Sequence, residues 1–111
     1  MYIIAAFNGD CVSQVFNHEA AHSLDQGTNG GAAWQTAVAQ SSCVPDDYAN
    51  SSYAEDFAQV EVMYNYLLHK GSFPKDASCL NPQINYMNGT ARIRDANVRT
   101  SCDPSKRPFT L

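Results

Sequence analysis

The chain has no run of apolar residues long enough to span a membrane, no internal repeat and no low-complexity tract. Basic residues are few: seven Lys and Arg against eleven Asp and Glu, for a formal net charge of −4. That balance argues against a nucleic-acid partner, because phosphate binding needs a basic stripe. The positive charges present gather late, at Arg92, Arg94, Arg99, Lys106 and Arg107, and read as a solvated tail. Met1 to Ala6 is apolar but too short for the core of a secretory signal, and it lacks a basic flank. Gly27, Gly30 and Gly31 form no phosphate loop, because no Lys-Ser/Thr pair follows them. None of the four cysteines falls in a CxxC pair or at zinc-finger spacing from a histidine.

Against those absences stands one pentapeptide, His18-Glu19-Ala20-Ala21-His22. Imidazoles at i and i+4 share one face of a helix and can reach one zinc ion. Glu19 lies between them, placed to take a proton from a metal-bound water. The competing reading is a solvated helix face that binds nothing. Helical context favours the metal: Val12, Val15, Phe16 and Ala20 recur at spacings of three and four, so Cys11 to Asp25 reads as an amphipathic helix. Asp10 or Ser13 can cap its start, and Gly27 can stop it.

A catalytic zinc site has three protein ligands and an open position. Asp25 and Glu55 are the candidates for the third. Glu55 is preferred, because a ligand from a second helix can close a tetrahedron, whereas a third residue along one helix drifts away from the metal. Asp25 is then suited to accept the outer N–H of a ligating histidine. Ser52 and Glu55 also match a capping box, which competes for the same carboxylate. Tyr48 and Tyr53, close to Glu55 in sequence, are candidate donors to an oxyanion.

The fold class expected is mainly α. Ala32 to Gln40 reads as a short Ala-rich helix with Trp34 and Val38 facing the core. Ser41 to Ser52 reads as a loop, and Tyr53 to Leu68 as a long helix, apolar nearly all round and so deeply buried. His69-Lys70-Gly71 makes a basic helix end with a glycine stop. At most one short strand, Tyr2 to Phe7, precedes the first helix. After Ser72, Pro74, Pro82, Pro104 and Pro108 predict a loop-rich tail with at most one short helix, around Pro82 to Met87, held by disulfides rather than by a core of its own.

Cys11, Cys43, Cys79 and Cys102 suit two disulfides, and a local guess pairs Cys43 with Cys79. Two N-glycosylation triplets, at Asn50 and Asn88, lean toward secretion.

The run from His18 to Gly27, with Tyr53-Ala54-Glu55-Asp56-Phe57-Ala58 downstream, resembles zincin metallopeptidases whose third ligand is a glutamate. More narrowly, the stretch from Phe16 to Leu67 is similar to secreted fungal proteins of the conidiation-specific protein 13 group. The resemblance implies zinc on His18, His22 and Glu55, Glu19 as general base, a peptide or protein substrate and an extracellular, disulfide-containing parent. Complete zincins place a twisted sheet before the active-site helix, so residues 1–111 are expected to form a single, partial zincin-like domain with weak activity and partly uncovered helix faces. The alternative expectation is a non-catalytic secreted protein that keeps the helix pair as a binding or structural module.

Overall fold

A computed structural model describes residues 14–99. Among these residues five helices form in chain order: α1 (Gln14–Asp25), α2 (Ala32–Gln40), α3 (Tyr53–Lys70), α4 (Asn81–Gly89) and α5 (Ala91–Arg99), with single 3-10 turns before α2, α3 and α4. No strand occurs among the described residues. The expected strand Tyr2 to Phe7, the start of the first helix, Cys11 and Cys102 lie outside them.

The long helix α3 is the hub. Ser52 caps it, its side chain accepting from the Glu55 N–H at 3.1 Å. Gly71 ends it in the left-handed conformation (φ 86°), donating its N–H to the Leu67 carbonyl. A side chain at that φ would be strained, so glycine is the natural stop. Phe57, Val60, Met63 and Tyr64 are buried and meet Trp34 of α2, Leu80, Ile84 and Met87 at and within α4, and Ile93 of α5. The Trp34 ring sits edge-on to Phe57 and to Tyr86, at 5.2 and 5.4 Å between centroids, the geometry that aromatic quadrupoles favour. Val38 packs at the margin of this core.

Cys43 and Cys79 are joined, as expected, tying the loop before α3 to the segment before α4. Closing a 36-residue separation in the unfolded chain contributes about 4 kcal/mol in the chain-entropy picture. Hydrogen bonds from the Ser42 N–H to the Cys79 carbonyl, and from Gln83 to the Cys43 carbonyl, run alongside the bridge.

The C-terminal third departs from the expected loop-rich tail. It carries two helices rather than one short one, and Leu80, Ile84, Met87 and Ile93 belong to the main core. Pro82 sits in the first turn of α4, where its missing N–H has no helical partner to lose. Beside Ile93, the α5 helix docks through polar contacts. Buried Asn97 accepts from Asn65 and donates to the Ile93 carbonyl, each at 2.9 Å. His69 donates a ring N–H to the Asn97 carbonyl at 3.0 Å, so it links α3 to α5 as well as standing at a helix end. Arg92, expected in a solvated tail, instead reaches the last carbonyls of α1: it donates to the Leu24 carbonyl and, at 3.0 Å, to Thr28 Oγ1. A cation there complements the negative end of the helix dipole. The expectation of partly uncovered faces on the two long helices does not hold for α3, whose apolar face α2, α4 and α5 cover.

Candidate metal centre at the α1–α3 seam

His18 and His22 project from the same side of α1, one turn apart, as their spacing requires. Across the seam, the first turn of α3 presents Glu55. The three reactive atoms converge: His18 Nε2 lies 2.8 Å from Glu55 Oε2, His22 Nε2 lies 3.1 Å from His18 Nε2, and His22 Nε2 lies 3.5 Å from Glu55 Oε2. The two imidazole rings meet edge-on, 4.8 Å between centroids. Of the capping box, the Ser52 half forms, while the Glu55 carboxylate is turned to the histidines.

A relay behind His18 determines which of its nitrogens carries a proton. Gln59 Nε2 donates to Asp46 Oδ2 at 2.6 Å, so Gln59 Oε1 is left as an acceptor for His18 Nδ1 at 2.7 Å. Asp46 is held in turn by the Ala49 N–H at 2.9 Å. This network assigns the proton of neutral His18 to Nδ1 and leaves a lone pair on Nε2. That lone pair faces a carboxylate oxygen and a second imidazole nitrogen. Three electron-rich atoms at these separations need a proton or a cation among them.

Glu19 is exposed, and its carboxylate lies with His18 and His22 in a group whose ligand atoms are all within 4.8 Å of one another. Glu55 brings an oxygen to 2.8 and 3.5 Å from the two imidazole nitrogens, so both carboxylates lie within reach of an ion held by His18 and His22. Tyr48 stacks at an angle on His18, 5.4 Å between centroids. Its hydrogen bond to Glu55, aided by desolvation and by the charges of Glu55 and Glu19, raises its hydroxyl above the usual tyrosine range. Tyr53, the other candidate oxyanion donor, is not brought to this centre. It lines a separate cavity of about 260 Å³ with Val38, Val44 and Asp56.

Asp25 does not stand behind a histidine. Its two oxygens accept from the Asn29 backbone N–H and side-chain amide, at 2.8 and 2.7 Å, and so bind the turn that follows α1. The supporting position falls to Gln59 and Asp46, which the sequence reading missed. The available signal was position: Gln59 is four residues after Glu55 and shares its face of α3. Asp56, next to Glu55, is rotated away into the protein. It is 2% exposed, neither of its oxygens has a hydrogen-bond partner, and burial, with the charge of Asp46, pushes it up to about 7.

Comparison with known proteins places this chain in a family. A family model described as conidiation-specific protein Con-13 matches residues 3–103. Conidiation-specific protein 13 of Neurospora crassa is 32% identical over a 90-residue alignment that takes in 70% of this chain and 26% of the relative. The chain therefore spans about a quarter of the length of that relative. No solved structure matches. These likenesses support the conidiation-specific resemblance and add nothing to the zincin one, which rests on the HExxH pattern and the downstream glutamate. The chain belongs to the Con-13 family of conidiation-specific proteins.

Proposed function

We propose that this chain is a zinc-binding module of an extracellular conidiation-associated protein, with the ion held by His18, His22 and Glu55. The observation that carries the reading is the convergence of two imidazole nitrogens and one carboxylate oxygen at 2.8, 3.1 and 3.5 Å. Ligands about 2.0–2.1 Å from one tetrahedral ion sit roughly 3.3 Å apart, and an N,N,O donor set suits zinc. The Gln59–Asp46 relay matches the support that ligating histidines normally receive. Such an ion joins α1 to α3 across a seam that polar groups occupy, and it stabilises the folded chain by mass action. The Cys43–Cys79 disulfide favours an oxidising, secretory setting.

A second reading, peptide-bond hydrolysis, is favoured by the position of Glu19. Zinc, when bound, supplies a polarised carbonyl or an acidified water. Glu19, exposed at the edge of the centre, is placed to hold the water proton and pass it to a leaving amine. Tyr48 is the remaining candidate to donate to an oxyanion.

X-ray absorption on the zinc-loaded chain tests the first reading. It is expected to show two imidazoles and a carboxylate oxygen at about 2.0–2.2 Å. A six-oxygen shell without imidazole would defeat it. Chelator-sensitive cleavage of a denatured protein substrate, abolished in Glu19→Gln with zinc retained, would promote the second reading over the purely structural one.

A further inference from the structure

On the far side of α1 from the histidines, a cavity of about 360 Å³ opens between α1, α3 and α5. Ala20 and Leu24 wall it, and they lie about half a turn around the helix from His18 and His22. The site is therefore separate from the candidate metal centre. Its chemistry is set by Glu61, Asn65 and Asn97, each more than nine-tenths buried. Asn97 is largely committed: its oxygen accepts from Asn65, and its amide donates to the Ile93 carbonyl and to Glu61. Asn65 spends its amide on Asn97, and among the described residues no side-chain hydrogen bond engages its oxygen, an acceptor. Among the described residues Glu61 has one donor, Asn97, for a carboxylate with about four lone-pair sites. It is also the one charged residue among the described residues of the lining.

A buried carboxylate is costly unless a cation pairs with it. Glu61 and Asn65 stand one turn apart on the same face of α3, so their acceptors converge. Ala20, Ala21, Leu24 and Ala96 form an apolar part of the wall, and Ser23 and Gln26 add polar groups to the lining. We propose that this cavity binds a primary alkylammonium group, such as a small amine or a lysine-type side chain, with the ammonium on Glu61 and Asn65 and the alkyl stem against the alanines and Leu24. An ammonium offers three donors and no acceptor, which matches the converging oxygens of Glu61 and Asn65. The volume is at the low end of ligand pockets, suited to a group of side-chain size.

The test is a titration of the isotope-labelled full chain with n-butylammonium chloride, followed by amide chemical shifts. Butanol serves as the neutral control of similar shape. Saturable shifts at Ala20, Ser23, Gln26 and Asn65 are expected, with binding at least tenfold tighter than for butanol. Glu61→Gln is expected to remove that preference while keeping the contact from Asn97. Ala20→Leu, at an exposed helical position, is expected to weaken binding at least tenfold by filling the cavity. It keeps the proposal testable should Glu61→Gln fail to fold. Equal binding of butanol and butylammonium, an unchanged preference in Glu61→Gln, full binding by Ala20→Leu, or the absence of saturable shifts would each overturn the proposal.

Discussion

Along α3, Phe57, Val60, Met63 and Tyr64 are 0–1% exposed and meet Trp34, Leu80, Ile84, Met87 and Ile93. Glu55 and Gln59, on the face toward α1, meet imidazoles and a carboxylate instead. The first face is satisfied by shape, because apolar atoms need only close neighbours. The second is satisfied by chemistry, because lone pairs left facing one another must find a proton or an ion. Glu55 and Asp56 show the contrast between adjacent residues. Glu55 has polar partners across the seam, whereas Asp56 lies buried with bare oxygens. Ionised, it would carry a heavy desolvation cost, and it resists losing its proton up to about pH 7. The two faces should therefore respond to different perturbations, and four experiments separate them.

The largest effect belongs to the packed face. Phe57→Ala removes a fully buried ring that Trp34 meets edge-on, and should cost about 3–5 kcal/mol in denaturant unfolding. At temperatures where the variant is folded, zinc stoichiometry should not change. A variant that lost zinc while still folded would show that the two faces are coupled.

Acidity gives the next largest effect. Burial raises Glu61 from 4.5 to about 7, with the Asn97 contact opposing the shift. Between those values the unfolded chain has released a proton that the fold still holds. Stability should therefore fall as pH rises from about 4.5 to 7, by about 3 kcal/mol for this group, and change little beyond. Asp56 adds a loss of the same sign between 3.8 and about 7. Glu61→Gln should remove its share of the slope when unfolding is followed across this range. A wild-type chain that gained stability through that window would contradict the assignment.

A smaller effect sharpens the polar face. Gln59→Ala breaks the relay between His18 and Asp46 without removing a candidate ligand. Zinc affinity, measured by competition with a chromophoric chelator, should fall about 10–100-fold. An unchanged affinity would mean that the relay does not orient His18.

Much of this was legible in the sequence, for physical reasons that differ from residue to residue. The i, i+4 spacing placed His18 and His22 together because helical geometry leaves no other choice. The apolar density of Tyr53 to Leu68 announced a buried helix, and Gly71 announced its end. Glu55 was read as facing the histidines although a capping box competed for it. The cap took only Ser52, and the side chain remained available. The short helix expected around Pro82 to Met87 formed as α4, whereas α5 was hidden because it docks largely through Asn97 and Arg92, and periodicity registers only apolar positions. Asp25 was misplaced for a related reason. A carboxylate near a helix end satisfies the nearest free N–H groups, and those of Asn29 were closer than any imidazole. Gln59 and Asp46 are 13 residues apart, and no local pattern announces their contact.

The central claim is that Glu55, rather than Glu19 within the motif, completes the ligand set with His18 and His22. Zinc affinity of the wild-type chain beside Glu55→Gln and Glu19→Gln tests it most directly. Glu55→Gln replaces the proposed charged ligand by a weak one and should lower affinity by more than the about 10–100-fold expected for a supporting residue such as Gln59. Glu19→Gln should stay within a few-fold of wild type. Unchanged affinity in Glu55→Gln, or a larger loss in Glu19→Gln, would contradict the account.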